Sequence, residues 1–257
     1  MQCKDQLHTF FEFSQTPKRI VSLVPSQTEL LIDLGLRKQV VGITKFCIHP
    51  ASLKDEKTIV GGTKTLHLDK IRALQPDIII CNKEENSKEI VASCAQIAPV
   101  WVSDVYTLED ALEMISLLGA LFKKEEKAFG IITKIKNQYA LFTEFIAQKQ
   151  TRKVAYLIWQ KPFMVAGKHT FINDLLQINK FDNILTDPAS RYPEMDIEDL
   201  KHADLILLSS EPFPFSKTHV KALEQTTQKQ LLLVDGAYFS WYGSRLQNAF
   251  RYFKTLH

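Results

Sequence analysis

Arg19-Ile20-Val21-Ser22-Leu23-Val24-Pro25-Ser26-Gln27-Thr28-Glu29-Leu30-Leu31-Ile32-Asp33-Leu34-Gly35 is the stretch that decides the fold. Its first part is a short apolar run rich in β-branched residues and stopped by proline, which reads as a buried strand. Ser26 with Glu29 three residues on has the spacing of a capping box, so a helix is expected from about Gln27 to Leu34, closed by Gly35. The same order recurs downstream. Residues 40–43 read as a strand, 68–74 as a helix, and Pro76 leads into a strand over 77–81. Asn86 with Glu89 starts another helix, 100–102 is a strand, and Thr107 with Asp110 caps a helix that runs to Gly119. Strands alternating with helices imply parallel pairing with helices on both faces of the sheet.

The rhythm breaks at 123–149, a stretch with no proline and one glycine, Gly130. Ala128, Ile132, Ile135, Tyr139, Phe142 and Ile146 recur at steps of four and three, which places them on one face of a helix. A helix of about 25 residues is about 37 Å long, comparable to a small domain. After it the alternation resumes, with strands at 153–159, 204–208 and 231–234 and helices at 169–178 and 244–255. The two halves echo each other. Leu68-Asp69-Lys70-Ile71 precedes the strand at Asp77, and Ile197-Glu198-Asp199-Leu200 precedes the strand at Asp204. The expected fold is α/β, with two Rossmann-like lobes of parallel sheet, residues 1–122 and 150–257, joined by one long helix over 123–149.

The chain has 257 residues and a net charge of +3, from 32 Lys+Arg against 29 Asp+Glu, with no basic run, so a nucleic-acid partner is not indicated. Cys3, Cys47, Cys81 and Cys94 are too scattered for a disulfide framework or a paired CxxC site. No apolar stretch approaches the roughly 18 residues that span a bilayer. Met1-Gln2-Cys3-Lys4-Asp5 leads straight into mixed polar and aromatic sequence, without the basic and apolar regions of a signal peptide. Either the chain stays in the cytoplasm where it is made, or a leader was removed.

The usual catalytic signatures are missing: there is no GxGxxG after a strand and no GxSxG elbow. Gly167-Lys168-His169-Thr170 resembles a phosphate loop only superficially, because Pro162 stands where its first glycine belongs and His169 where Ser or Thr belongs. An enzyme is therefore not expected. Cys47 and His49 lie two apart in a loop after a strand, a spacing that lets thiolate and imidazole reach one soft metal; the alternative is a structural cysteine and a capping histidine. Glu84-Glu85-Asn86 offers a cation or substrate contact, against the alternative of acids favoured by a helix N-terminus. The aromatic population carries more. Phe46, Trp159, Phe163, Tyr192, Phe213, Phe215, Tyr238, Phe239, Trp241 and Tyr242 all fall in loops or at expected strand ends. In open α/β sheets the C-terminal strand edge is where ligands bind, and rings there suit a bulky, partly apolar one.

Asp5-Gln6-Leu7 and the stretch from Pro17 to Leu30 resemble the opening of the class III substrate-binding proteins of cobalamin and iron-siderophore ABC importers. Val60-Gly61-Gly62, Leu68-Asp69-Lys70-Ile71 and Leu74-Gln75-Pro76-Asp77-Ile78-Ile79 are similar to that family's next block. The resemblance runs from about Asp5 to the C-terminus and implies two lobes that hold a ligand between them, in a monomer that presents its cargo to a dimeric permease. The implied cargo is cobalamin first, ferric siderophore or haem second. Phe46 takes the place of a corrin-contacting tyrosine and Tyr192 that of a cleft tryptophan, while Asp69 and Glu198 match the surface glutamates that dock on the permease. Thr63 and Asn82 stand where the family has two more tryptophans, and Arg191 and Arg245 are the arginines available for a siderophore. With Trp159, Phe163, Trp241 and Tyr242 these complete the expected ligand-binding set. The rival expectation is an intracellular corrinoid or metal-chelate carrier without a permease.

Overall fold

The computed structural model describes residues 2–185 and 190–257. By their contacts these residues form two units. The first takes the residues up to Val105, Glu109–Ile135 and Tyr242–Gln247; the second takes Tyr106–Leu108, the described part of Lys136–Trp241, and Asn248–His257.

The first unit opens with an antiparallel hairpin, β1 (Gln2–Lys4) and β2 (Phe10–Glu12). There follow β3 (Ile20–Ser22), α1 (Pro25–Asp33), β4 (Val40–Ile43), α2 (Leu53–Glu56), β5 (Thr58–Ile59), α3 (Leu68–Ala73), β6 (Ile78–Asn82), α4 (Lys88–Ala95), β7 (Val100–Ser103) and α5 (Leu108–Leu121). Its five-stranded sheet is parallel throughout, in the order β5-β4-β3-β6-β7. All residues of β3, β6 and β7 are buried, as parallel strands covered on both faces must be. Asp5 ties the hairpin down: one carboxylate oxygen accepts from the Leu7 and Thr9 amides, and the other accepts from Val102 N at 3.2 Å.

Helix α6 (Glu125–Ala147) contributes to both units, and at 23 residues it is about 35 Å long. Ala128, Ile131, Ile135, Phe142 and Ile146 are its buried residues, close to the stripe expected from the spacing, while Phe129 and Leu141 face water.

The second unit continues with β8 (Arg152–Trp159), β9 (Met164–Val165), α7 (Phe171–Ile178), β10 (Phe181–Asn183), α8 (Ile197–Leu200), β11 (Leu205–Ser209), α9 (Lys217–Thr227), β12 (Gln230–Val234), α10 (Ala237–Ser240) and α11 (Leu246–Phe253). Its parallel path is β10-β8-β11-β12, with β9 antiparallel on β8.

The two sheets share an order. In each, the first parallel strand (β3 or β8) lies between the second (β4 or β10) and the third (β6 or β11), which creates a topological switch point at its C-terminal end. The echo seen in the sequence has the same footing. Asp77 precedes β6 and its carboxylate accepts from the Lys18 and Arg19 amides at 2.7 and 2.9 Å. Asp204 precedes β11 and accepts from the Lys153 amide at 2.9 Å. Each aspartate also donates its own amide to the same neighbouring strand, to the Arg19 and Lys153 carbonyls, both at 2.8 Å.

Several helix starts differ from expectation. Helix α1 begins at Pro25 with Val24 as N-cap and no side-chain cap, because proline at the first helical position pre-sets φ and needs no partner for an amide. Ser26 is inside the helix, and Glu29 turns to Arg245 instead of capping. Gly35 does close the helix: it has φ +84°, its amide bonds Ile32 O at 2.8 Å, and Leu36 N bonds Leu31 O at 3.0 Å, a Schellman arrangement. Helix α4 is capped by Ser87, whose side chain accepts from Ile90 N, and not by Asn86. Helix α5 runs past Gly119 to Leu121, and α7 begins at Phe171 with Thr170 as its cap.

Candidate ligand-binding site

In the first unit the chain leaves β4 through Thr44-Lys45-Phe46-Cys47, a tight turn closed by Cys47 N on Thr44 O at 3.1 Å. Thr44 and Cys47 are wholly buried at its base, so Lys45 and Phe46 at its tip face solvent, with Phe46 48% exposed. The Lys45 ammonium sits 5.1 Å from the Phe46 ring centroid. Across from this turn, residues 61–65 fold back on themselves through Gly62 N on Thr65 O at 2.7 Å. Gly61 has φ +127°, a conformation that side chains rarely adopt, and a Cβ there would also run into Thr65 and Leu66 backbone. A Cβ on Gly62 would lie 3.1 Å from the Phe46 ring. The space between the two turns is an open cavity of about 340 Å³ walled by Lys45, Phe46, residues 61–65 and His67.

A third turn braces this wall. Asn82, the last residue of β6, accepts at Oδ1 from the Glu84 and Glu85 amides at 2.9 and 3.1 Å and donates from Nδ2 to Ser103 Oγ at 2.9 Å. Its own amide donates to Asn86 Oδ1 at 3.0 Å, and Asn86 Nδ2 donates to Thr63 O at 3.0 Å. Lys64 Nζ then reaches Glu84 O at 2.7 Å. Asn82 and Asn86 are therefore buried supports for the cavity wall.

In the second unit the corresponding strand ends carry rings. Trp159, 40% exposed at the end of β8, meets Phe213 edge-on at 5.6 Å, and Phe213 meets Phe215 at 4.8 Å. Phe163 and Tyr192 are half-buried, and the Arg191 guanidinium lies 4.5 Å from the Tyr106 ring centroid. Beyond β11, Glu211 Oε1 accepts from Trp241 Nε1 at 2.8 Å and from Ser240 Oγ at 2.5 Å. A second cavity, of about 320 Å³, opens at the start of α7 beside Lys168, His169 and Thr170, with Tyr106, Asp174 and Gln177 on its other walls.

The expected site residues thus separate by environment. Phe46, Trp159, Phe163, Arg191 and Tyr192 reach the surface of their own units. Trp241 and Tyr242 are buried, at 7% and 5% exposure, as are Phe215 and Phe239. Arg245 is committed to a two-pronged ion pair with Glu29, Nη2 to Oε1 at 2.7 Å and Nε to Oε2 at 3.0 Å. Burial raises the Glu29 pKa, outweighing the pull of Arg245. Cys47 Sγ lies 3.2 Å from Thr28 Oγ1 and 3.3 Å from Thr44 Oγ1, and burial pushes its thiol up. Among the described residues no group of three or more His, Cys, Asp or Glu is placed to hold a metal ion. Asp69 and Glu198 are exposed in the first turns of α3 and α8; Asp69 pairs with Arg72 of its own helix at 2.9 Å, and Glu198 with Lys201, the C-cap of α8, at 2.8 Å.

The family model described as periplasmic binding protein matches residues 20–232. The chain belongs to the periplasmic binding protein family. Its members here are substrate-binding proteins, not enzymes. The ABC transporter substrate-binding lipoprotein YvrC of Bacillus subtilis is 27% identical over 179 residues, which is 66% of this chain but only 56% of that protein. The vitamin B12-binding protein of Salmonella typhimurium is 24% identical over 195 residues, 74% of this chain and 72% of its own length. Among solved structures, the periplasmic vitamin B12 binding protein BtuF of Vibrio cholerae superposes with a TM-score of 0.80 at 20% identity, covering 93% of this chain and 98% of that one. A periplasmic heme binding protein of Pseudomonas aeruginosa gives 0.81 at 20% identity, covering 93% and 92%. The fold is that of the class III periplasmic binding proteins. No helix of the described residues is long and apolar enough to cross a membrane.

Sequence reasoning missed Lys45, Lys64 and His67 as pocket residues, and the supporting role of Asn82 and Glu211. The pair Gly61-Gly62 was the available signal, since adjacent glycines mark a turn that a backbone or ring approaches closely.

Proposed function

We propose that this chain is the substrate-binding component of an ABC importer and captures a metal-containing cofactor, cobalamin first and ferric siderophore or haem second. The carrying observation is the exposed Phe46, set over a two-glycine turn at the edge of an open cavity in the first unit. A water-facing ring on a short, buried-anchored turn suits the apolar face of a macrocycle, because the ring has little conformational freedom left to lose on binding. Trp159, Phe163, Arg191 and Tyr192 are the corresponding groups of the second unit. The relatives named for vitamin B12 and heme support the ligand class, and Asp69 and Glu198 are the proposed contacts to permease arginines.

The test is calorimetry, with visible absorbance in parallel, of the purified protein against cyanocobalamin, a ferric siderophore and haemin. Saturable binding of one chelate in the micromolar range or tighter is expected. Phe46→Ala is expected to weaken it by about tenfold, the worth of a buried aromatic contact. Three silent titrations would remove the proposal.

A further inference from the structure

The cavity of the first unit has a charge character that its ring does not predict. Lys45, Lys64 and His67 lie on its walls beside Phe46, and no carboxylate is among its lining residues. Both lysines are exposed, Lys45 held at its base and Lys64 at its ammonium. Lys45 follows the buried Thr44, and its amide bonds Gly61 O at 2.8 Å. Lys64 leans on the Glu84 carbonyl at 2.7 Å, in a wall braced by Asn86 on Thr63 O. A lone surface lysine is ordinary, but here two on facing turns flank one apolar ring, one of them with its ammonium 5.1 Å from the ring centroid, so the ring's surroundings are cationic. We infer that the ligand carries an anionic group, carboxylate or phosphate, at the edge of a flat apolar face, and that Lys45 and Lys64 select it by charge.

The inference rests on the proposed capture of a metal chelate and narrows it. An ammonium that is already positioned strengthens a hydrogen bond to an anion and gives nothing comparable to an ester or amide. The lysines are therefore specificity-determining residues, with Phe46 supplying the apolar contact common to every ligand.

Two ligand pairs separate this selection from capture itself, one for each source of the anion. Haemin is compared with its dimethyl ester, which loses both carboxylates and keeps the ring. Cyanocobalamin is compared with dicyanocobinamide, which lacks the phosphodiester and keeps the corrin. In the pair that binds, the anionic member is expected to bind about tenfold tighter. Lys45→Ala with Lys64→Ala is expected to erase that preference, so that the two members of the pair bind alike. Lys45→Arg with Lys64→Arg, which keeps the charge, is expected to retain it and controls for disturbance of the turns. Equal affinity within each pair, unchanged in the alanine variants, overturns this inference and leaves chelate capture standing. Failure of all four compounds to bind overturns this inference, and the capture reading falls with it only if the ferric siderophore is silent as well.

Discussion

The two units share a strand order but finish the third strand of their sheets differently. In the first, β6 ends in Asn82, whose amide side chain serves two backbone amides and Ser103 at once. In the second, β11 ends in Ser209, whose hydroxyl donates to Glu211 O at 2.6 Å and accepts from Tyr156 at 3.2 Å, amid rings. One edge is organised by hydrogen bonds and the other by aromatic packing, so the same topology presents a polar-braced cationic pocket once and an apolar surface once. Topology places a ligand edge; the residues at its strand ends decide what that edge can read.

Truncating the two strand-end residues tests this directly. Asn82→Ala strips two part-buried amides of their acceptor and the buried Ser103 of its donor, and is expected to cost about 3 kcal/mol in urea denaturation. Ser209→Ala removes a smaller group from a site where packing dominates, and is expected to cost about 1 kcal/mol. Equal costs would break the comparison.

Arg245 sharpens it from another side. Residues Tyr242–Gln247 belong with the first unit although the residues on either side belong with the second, and the Arg245–Glu29 pair fastens this short segment. Arg245→Ala leaves a mostly buried carboxylate without its cation, at about 2 kcal/mol near neutral pH. Burial already raises the Glu29 pKa in the folded protein, and losing Arg245 raises it further. The folded variant therefore holds a proton that the unfolded chain has released, and its stability falls as pH rises above the ordinary carboxylate range. The deficit relative to the parent protein is expected to shrink between pH 7 and pH 4.5; a pH-independent deficit would mean that Glu29 titrates normally.

The second unit has a titratable group set among its rings. His257 stacks on Phe181 at 4.8 Å and lies 6.5 Å from Phe142, and burial together with Lys149 and Arg152 lowers its pKa to about 4. A lowered histidine contributes stability that is present above about pH 6.5 and is lost as pH falls through about 4. The group is only partly buried, so screening reduces the loss to about 1 kcal/mol. His257→Phe keeps the stack and removes the proton, and is expected to flatten stability between pH 6.5 and 4. An unchanged acid slope would assign that slope elsewhere.

What could be read from the sequence follows from the same contrast. Strands β3, β6, β8 and β11 were legible because central parallel strands are apolar on both faces. Helix α9 was not, since only Leu223 and Thr227 of its residues are buried and no stripe shows. The hairpin of β1 and β2 was missed for a related reason: its residues are exposed or half-exposed and carry no core signal. At the site, the rings were legible as a set, but not which of them face water. Phe46 does because Cys47 and Thr44 anchor its turn, while Phe239 packs between Tyr156 and Phe253 at 5.1 and 4.8 Å. Lys45 and Lys64 gave no signal, because lysine is ordinary on any surface.

The smallest effect belongs to the helix that both units share. Gly130 sits in the part of α6 that belongs with the first unit, and a Cβ there would meet nothing within 4 Å. Glycine in a helix interior costs 0.5–1 kcal/mol relative to alanine, mostly through the freedom it gives the unfolded chain. Gly130→Ala is expected to recover about that amount, read as a rise in the urea midpoint with the slope unchanged. Gly119 on α5 is the control, because a Cβ there would collide with that of Ala128. Gly119→Ala is expected to destabilise, since both helices would have to separate to admit it. A gain at both positions would mean that α5 and α6 are loosely packed, and that the first unit depends less on close helix contact than on its polar turns.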